Sequence, residues 1–335
     1  MGARDNLERG GWRISNGTGL TGGGAEKPRC SPDEAPIMHT TLVEVTTREN
    51  FLRAQNITAR FLDTIYFPFS IQTHLEGSFP ESPIRLFCYP SLSAPKYFFM
   101  YKDNVYIKPY LMMAQIPGTN MDRLELVDCI REFRRRVFGA TRRPHLVVGK
   151  DLLIKMYNVV MRIESCHWEA KDLLLSLFFM TESQRKASLK VALPNLPAGY
   201  YFDEIEPADE AELVNSTWKH AGPGDLEQTL AKLSRLPSSC VRYRGTPVAF
   251  EMMDPSGFFN NQYVFEDHRR KGLGNAVEID LIQKSIKCGM NPFKTVSRDN
   301  KIVLDASVAS PLWTQWKCEE GKPVTINFQE WSYKY

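Results

Sequence analysis

Asn260 to Lys287 reads NNQYVFEDHRRKGLGNAVEIDLIQKSIK, and how this stretch is read decides the fold. Asn260 to Phe265 mixes polar residues with aromatic and β-branched ones, as a strand does. Ala276, Val277, Ile279, Leu281, Ile282 and Ile286 recur instead at helical spacing. Between them stands Arg269-Arg270-Lys271-Gly272-Leu273-Gly274. Gly272 and Gly274 give the backbone conformations closed to other residues and let a ligand come close, while the first amides of the following helix lack partners of their own. Free N–H groups, the positive end of a helix dipole and three flanking cations all favour an anion. The stretch therefore predicts strand, basic glycine turn and helix, with phosphate as the ligand.

The spacing Arg269-x-x-Gly272-x-Gly274 resembles the (Arg/Gln)-x-x-Gly-x-(Gly/Ala) signature of the GNAT superfamily of acyl-CoA N-acyltransferases. That resemblance implies an α/β fold, a GNAT-type mixed sheet flanked by helices. It also implies that Arg269, Arg270, Lys271, Gly272, Leu273 and Gly274 hold the pyrophosphate of coenzyme A. An extended run before it and an amphipathic helix after it are what that mechanism needs; the alternative is a structural strand-to-helix turn.

Composition narrows the class. With 335 residues and 43% apolar content the chain can bury one large or two ordinary cores. A formal charge of +3 gives no global case for nucleic acid or an anionic membrane. Seven cysteines without a CxxC pair, and six histidines that do not cluster with them, point to free thiols and to no metal. No apolar run approaches the roughly 20 residues of a membrane span, and a secretory signal core is missing. A soluble, intracellular protein is expected, mitochondrial by family resemblance or cytoplasmic.

Residues 1–36, rich in Gly, Pro, Ser and charge, are expected to be disordered. Their Gly17-Thr18-Gly19-Leu20-Thr21-Gly22 has the form of a dinucleotide fingerprint but lacks a strand before it and a helix after it. Residues 37–195 read as an α/β domain. A helix is expected over Arg48 to Asp63, with strands at Ile84 to Tyr89 and Tyr97 to Tyr101. A hairpin turn is expected at Asp103-Asn104, leading into Val105 to Ile107. Helix 121–138 ends in Arg134-Arg135-Arg136, which suit a helix C-terminus before Gly139. His145 to Val148 is a strand, Asp151 to Glu164 a helix, and Asp172 to Met180 a buried strand. Pro194 and Pro197 mark a boundary, and residues 198–335 form a second α/β domain. There, strands at Tyr200 to Ile205, Ser239 to Tyr243, Pro247 to Met253 and Phe258 to Phe265 surround helices at Asp209 to Trp218, with Asp209 as cap, and Leu226 to Leu236. Met290 to Ser297, a helix over Asn300 to Ala309 and a strand at Val324 to Phe328 follow.

Over residues 198–318 the chain is similar to the glycine N-acyltransferase family, whose members pass an acyl group from acyl-CoA to the amino group of glycine or another small amine. Leu213-Val214-Asn215 with Trp218, Gly245-Thr246-Pro247-Val248, Met253-Asp254, Arg269 with Gly272-Leu273, Ser297 with Asn300, and Trp313 to Cys318 carry the likeness. It implies that residues 37–195 are a degenerate GNAT-like half and that Asn300 lies near the cofactor. It implies also that a backbone N–H at Val264 or Phe265 stabilises the thioester oxyanion, and that Ser307 stands where many superfamily members have a thiolate-protonating Tyr. The family's base is a Glu just after the hairpin glycine, where this chain has Phe258. If Met253 pairs with Phe258, Glu251 lies opposite Asn260 beside that ring and can replace the base, with His268 and Glu266 as further candidates and water as another. An apolar ring at that position implies an acceptor more hydrophobic than glycine, or slow catalysis. The sequence thus supports an acyl-CoA-dependent N-acyltransferase acting on a small amine or amino acid. The alternative is a catalytically impaired acyl-CoA-binding protein with a sensing or scaffold role.

Overall fold

The computed structural model describes residues 41–334, so the expectations for 1–36 and for the glycine-rich 17–22 segment lie outside the described residues. The chain runs β1 (Val43–Val45), α1 (Arg48–Thr58), α2 (Phe67–Glu76), β2 (Ile84–Pro90), β3 (Pro95–Lys102), β4 (Tyr110–Gln115), α3 (Arg123–Phe138), β5 (His145–Lys150), α4 (Asp151–Glu164) and β6 (Trp168–Phe179). After α5 (Glu182–Ser188) the same succession recurs. It comprises β7 (Tyr200–Asp203), α6 (Pro207–Ser216), α7 (Asp225–Arg235), β8 (Ser238–Tyr243), β9 (Thr246–Met253), β10 (Phe258–Val264), α8 (Leu273–Lys287), β11 (Phe293–Ser297), α9 (Lys301–Ala309), β12 (Thr314–Gln315) and β13 (Thr325–Tyr333).

These strands make one mixed sheet in the order β1-β2-β3-β4-β5-β13-β6-β11-β10-β9-β8-β7, with β12 paired to β6. Two neighbouring pairs are parallel, β4 with β5 and β10 with β11. The two halves exchange strands at the centre. β13 pairs with β5 from Ile326↔Lys150 to Trp331↔His145, and β6 pairs with β11 from Phe293↔Phe179 to Ser297↔Leu175. β6 and β13 then lie against each other from Thr325↔Ser176 to Tyr333↔Trp168.

Local sequence explains most element ends. Thr47 caps α1 by accepting the Asn50 N–H, and α6 starts with Pro207 at its first turn, so Asp209 lies inside the helix rather than capping it. On α4, Leu153, Ile154, Tyr157, Val160 and Met161 are buried, which is the spacing of one helical face. Val105 to Ile107 is not a strand. Asn104 Oδ1 accepts the N–H groups of Tyr106 and Ile107, a local turn that competes with the ladder, and β4 begins only at Tyr110. Arg134 is not a solvated helix-end cation either. It is buried and ties α3 to α4 through Glu164, 2.8 Å away, and through the Tyr157 hydroxyl.

One core lies under α1 and α2 and runs from Phe98 and Met100 through Leu175, Leu177 and Ile326 to Phe258 and Phe293. The opposite face packs α3 and α4 onto Phe99, Val147 and Trp331. Trp331 is only 3% exposed, with its ring edge-on to Tyr157 at 5.9 Å and to Trp168 at 6.4 Å. Trp331→Ala should therefore cost about 3–5 kcal/mol. Because β13 pairs strands of both halves, denaturant unfolding followed by fluorescence and by circular dichroism should shift as a single transition, and separate transitions for the two halves would refute that coupling.

Candidate functional site

The basic turn and the start of α8 form an open cradle. Gly272 takes φ +77° and Arg270, a non-glycine residue, takes φ +61°, so the turn spends left-handed geometry on two positions. Gly274 is different: it lies inside α8 without a positive φ, and a Cβ there would make ordinary contact with Val264 at 3.6 Å. Its expected conformational role falls away, and close approach is what it still offers. The first N–H in this region to find a backbone acceptor is that of Ala276, on the Gly272 carbonyl. Among the described residues the N–H groups from Arg270 to Asn275 have no partner. Arg269 anchors the turn by donating from Nε to the Val264 carbonyl at 3.0 Å, and Lys271 donates to the Asp267 carbonyl at 2.7 Å, while all three cations remain exposed.

In front of the cradle the sheet opens. β10 and β11 are paired only at Phe258↔Phe293 and Phe259↔Lys294, although β10 continues to Val264 and β11 to Ser297. A bulge at Asn261, φ +51°, turns β10 away, held by the Asn261 amide on the Val214 carbonyl at 3.0 Å. Phe265 donates its N–H to Val248 of β9 at 3.0 Å, so it is not free for an oxyanion. By strand alternation the N–H of Val264, one residue earlier, points to the open side.

The hairpin before β10 corrects the expected register. Gly257 at φ +91° donates to the Asp254 carbonyl, and Asp254 donates to Phe258, so the loop takes one residue more and Met253 pairs with Phe259. A one-residue slip moves every side chain to the other face. Glu251 therefore shares the α8 face with Met253 and Phe259, while Phe258 points to the opposite face and is not beside it. There Phe258 packs against Tyr66 at 6.1 Å, Phe293 at 6.3 Å and Phe328 at 5.9 Å. The Tyr66 hydroxyl is buried without a partner among the described residues, and burial, with the Asp254 carboxylate nearby, pushes its pKa well above the ordinary range.

The hairpin tip is itself buried. Asp254 is 3.1 Å from the Lys232 ammonium, and Lys102 of β3 donates to Ser256 at 3.0 Å and Ser70 at 3.3 Å. Burial draws the Lys102 pKa down to about 7, Asp254 opposing and Lys232 adding to the fall. Burial would raise the Asp254 carboxyl, but Lys232 and Lys102 outweigh it and hold it below the usual range.

On the α8 face Glu251 accepts from the Gln262 amide at 3.1 Å, and Gln262 also donates to the Gly274 carbonyl. Glu278 of α8 is salt-bridged to Lys294 of β11, whose ammonium lies 4.9 Å over the Trp313 ring. Burial first, then the charge of Glu278, pushes the Glu251 carboxyl well above its ordinary value, against the pull of Lys294 and Gln262. Glu278, Gln262, Lys294 and Tyr66 were not expected from the sequence. Glu278 had a signal, a carboxylate within the apolar rows of α8; Tyr66 had none.

Among the other expected residues, Asn300 caps α9 by accepting the Val303 N–H, and Ser307 is the buried residue of that helix. His268 lies elsewhere. Its Nδ1 is 2.9 Å from the Tyr200 hydroxyl and its ring stands over Tyr243, on β7 and β8, two to three strands, or roughly 10–15 Å, from the opening between β10 and β11. Glu266 is exposed in the short helical turn before it.

The first half shows the same geometry closed. Its parallel strands are paired from Tyr110↔Leu146 to Met112↔Val148, and just beyond, a Cβ at Gly149 would stand 2.9 Å from the Met113 carbonyl oxygen. The N-terminus of α3 is filled by Asp122, which accepts from Leu124 at 2.9 Å and Glu125 at 3.2 Å. Lys150 is spent on Asp63 and on the Trp316 ring. A self-capped helix end with its own carboxylate has no use for a further anion.

This repeated order of elements, with a parallel pair in each half, is an α/β fold of the GNAT type. No family model matches the chain, and no curated protein does. Among solved structures, that of a Drosophila protein aligns with 86% of this chain and 97% of its own at 13% identity and a TM-score of 0.64. A tandem GNAT protein from the clavulanic acid biosynthesis pathway aligns over 88% of this chain and 98% of its own, at 12% identity and a TM-score of 0.48. For a GCN5-related N-acetyltransferase from Kribbella flavida the values are 82%, 98%, 15% and 0.47. At 13% identity the likeness to the Drosophila structure is one of fold. Among the described residues no helix is long and apolar enough to cross a membrane.

The Glu251 environment has a measurable sign. Its folded pKa lies above the unfolded 4.5, so the native state keeps a proton that the unfolded chain loses, and this stabilisation declines as pH rises from 4.5. Glu251→Gln does not undergo that decline. Its stability relative to the parent should grow by about 1.4 kcal/mol per pH unit above that point until the parent carboxyl ionises. Paired thermal melts between pH 4 and 8 (about the range where carboxylates titrate) check this; a constant difference would mean that Glu251 binds its proton no more tightly in the native state than in the unfolded chain.

Proposed function

We propose that this protein is an acyl-CoA-dependent N-acyltransferase of the glycine N-acyltransferase-like kind, in which the half at 198–335 binds the CoA thioester. The half at 37–195 acts as a closed copy that walls the acceptor side. One observation carries this reading: α8 presents free N–H groups and three cations at an open pair of parallel strands, whereas α3 caps itself at a closed pair. The pyrophosphate would sit on Arg270 to Gly274, with Arg269 bracing the turn and Asn300 opening the helix across the gap. The Val264 N–H would meet the pantetheine or the thioester oxygen, which gains negative charge as the amine attacks.

The acceptor side is aromatic. Phe258, Tyr66, Phe293 and Phe328 favour an amine or amino acid with an apolar body over glycine. Glu251, on the other face and holding its proton, is poorly suited to take a proton from that amine, so deprotonation falls to water, and positioning supplies the rate. The same aromatic packing favours a second reading, an acyl-CoA-binding protein with impaired turnover and a sensing or scaffold role.

Two measurements test these readings. CoA at a hundredfold its dissociation constant should add about 2.7 kcal/mol to stability, and Gly272→Val, forced into a left-handed φ, should lose that gain. An equal thermal shift in the variant would place the anion elsewhere. Thiol release from acyl-CoA with a panel of amino acids and amines should be fastest for apolar acceptors; binding without release would select the second reading.

A further inference from the structure

The buried polar row under α8 contains a group that the mechanism above does not use. We propose that Lys294 is the proton donor to the departing CoA sulfur, an inference that rests on the acyl-CoA reading. Lys294 holds the last paired position of β11 before the strands part, opposite Phe259. Its side chain rises on the α8 face, because its ammonium reaches Glu278 of α8 and the ring of Trp313. A thioester whose pyrophosphate lies at the mouth, on the α8 turn, would direct its acyl end down the opening toward this closed end.

The surroundings hold Lys294 in a nearly buried ion pair. Its side chain is 11% exposed, where an unpaired ammonium would be costly, and Glu278 provides the opposite charge. Glu251, the other carboxyl on this face, is the one that retains its proton, so one ammonium faces one carboxylate. Gln262 on β10 bonds to Glu251, and Trp313, whose ring lies under the ammonium, has its Nε1–H buried without a partner among the described residues. An ammonium has three N–H groups, and Glu278 occupies one side of it. Among the described residues the ammonium has no hydrogen-bond partner besides Glu278 and the indole N–H has none, so both keep donors to offer.

In the step itself the amine lone pair attacks the thioester carbon and the C–S bonding pair passes to sulfur. Lys294 gives that sulfur a proton, yielding CoA thiol and a neutral amine side chain. The acceptor's surplus proton goes to water, and Lys294 is recharged from water once the thiol leaves.

The test is the acidity of the thiol of bound CoA, followed by the ultraviolet absorbance of the thiolate in the full chain. A cation at the sulfur should make the bound thiol at least tenfold more acidic than free CoA, and Lys294→Met should abolish that difference while Ser307→Ala leaves it. If the single variant fails to fold, Lys294→Met combined with Glu278→Leu leaves no unpaired carboxylate. In turnover, Lys294→Met should lower transfer from CoA thioesters by tenfold or more and transfer from aryl thioesters, whose thiolates need no proton, by much less. CoA bound with the same thiol titration in parent and variant overturns the proposal alone. Absence of CoA binding to the parent overturns it together with the acyl-CoA reading.

Discussion

The pairing of β6 with β13 is the constraint on which the rest of this structure depends. Each half, taken alone, would present an unpaired edge beside its parallel strands, a row of unmet backbone donors and acceptors. Each is completed by the other: β13 covers β5, and β6 covers β11. The exchange fixes the register of the opening too, because β6 holds β11 along its whole length on one side and leaves its other side to β10 for only two pairs. Polar residues reinforce the seam. Asp172 of β6 accepts from both Asn327 and Gln329 of β13, and the Trp331 indole donates to Gln329, so a slip by one residue would break a half-buried network as well as a ladder.

Two copies of one geometry sit in this frame, and small differences separate them. A carboxylate at the cap of α3 does what a bound anion would otherwise do; on α8 the cap is glycine and the flanking charges are positive. Glycine serves opposite ends in the two halves. At Gly149 the missing Cβ lets two strands close, and at Gly272 it lets the turn stay open. The first half still reaches the open site, through Tyr66 against Phe258 and through Lys102 against the hairpin tip.

What was legible in the sequence follows from range. Strand, basic turn and helix at 260–287 depend on neighbours a few residues apart, and the bounds of α4 agree with its apolar spacing to the residue. The register of the hairpin was not legible, because it turns on whether Gly257 adds a residue to the loop, and that one conformation moved Glu251 away from Phe258. Nor was the setting of Arg134, whose partners come from α4, nor that of His268, which was near the glycine turn in sequence but is held to the outer strands by Tyr200 and Tyr243. Strand exchange is invisible to local pattern altogether, since β6 reads as a buried strand whichever neighbour it has.

The exchange also bears on how the chain is made. Translation delivers the first half before β13, so until then β5 and β6 lack the strand that pairs both, and the first half cannot reach its native sheet as an independent unit. A truncation that removes β13 but spares every residue of the open site therefore takes away the strand that closes β5 and β6.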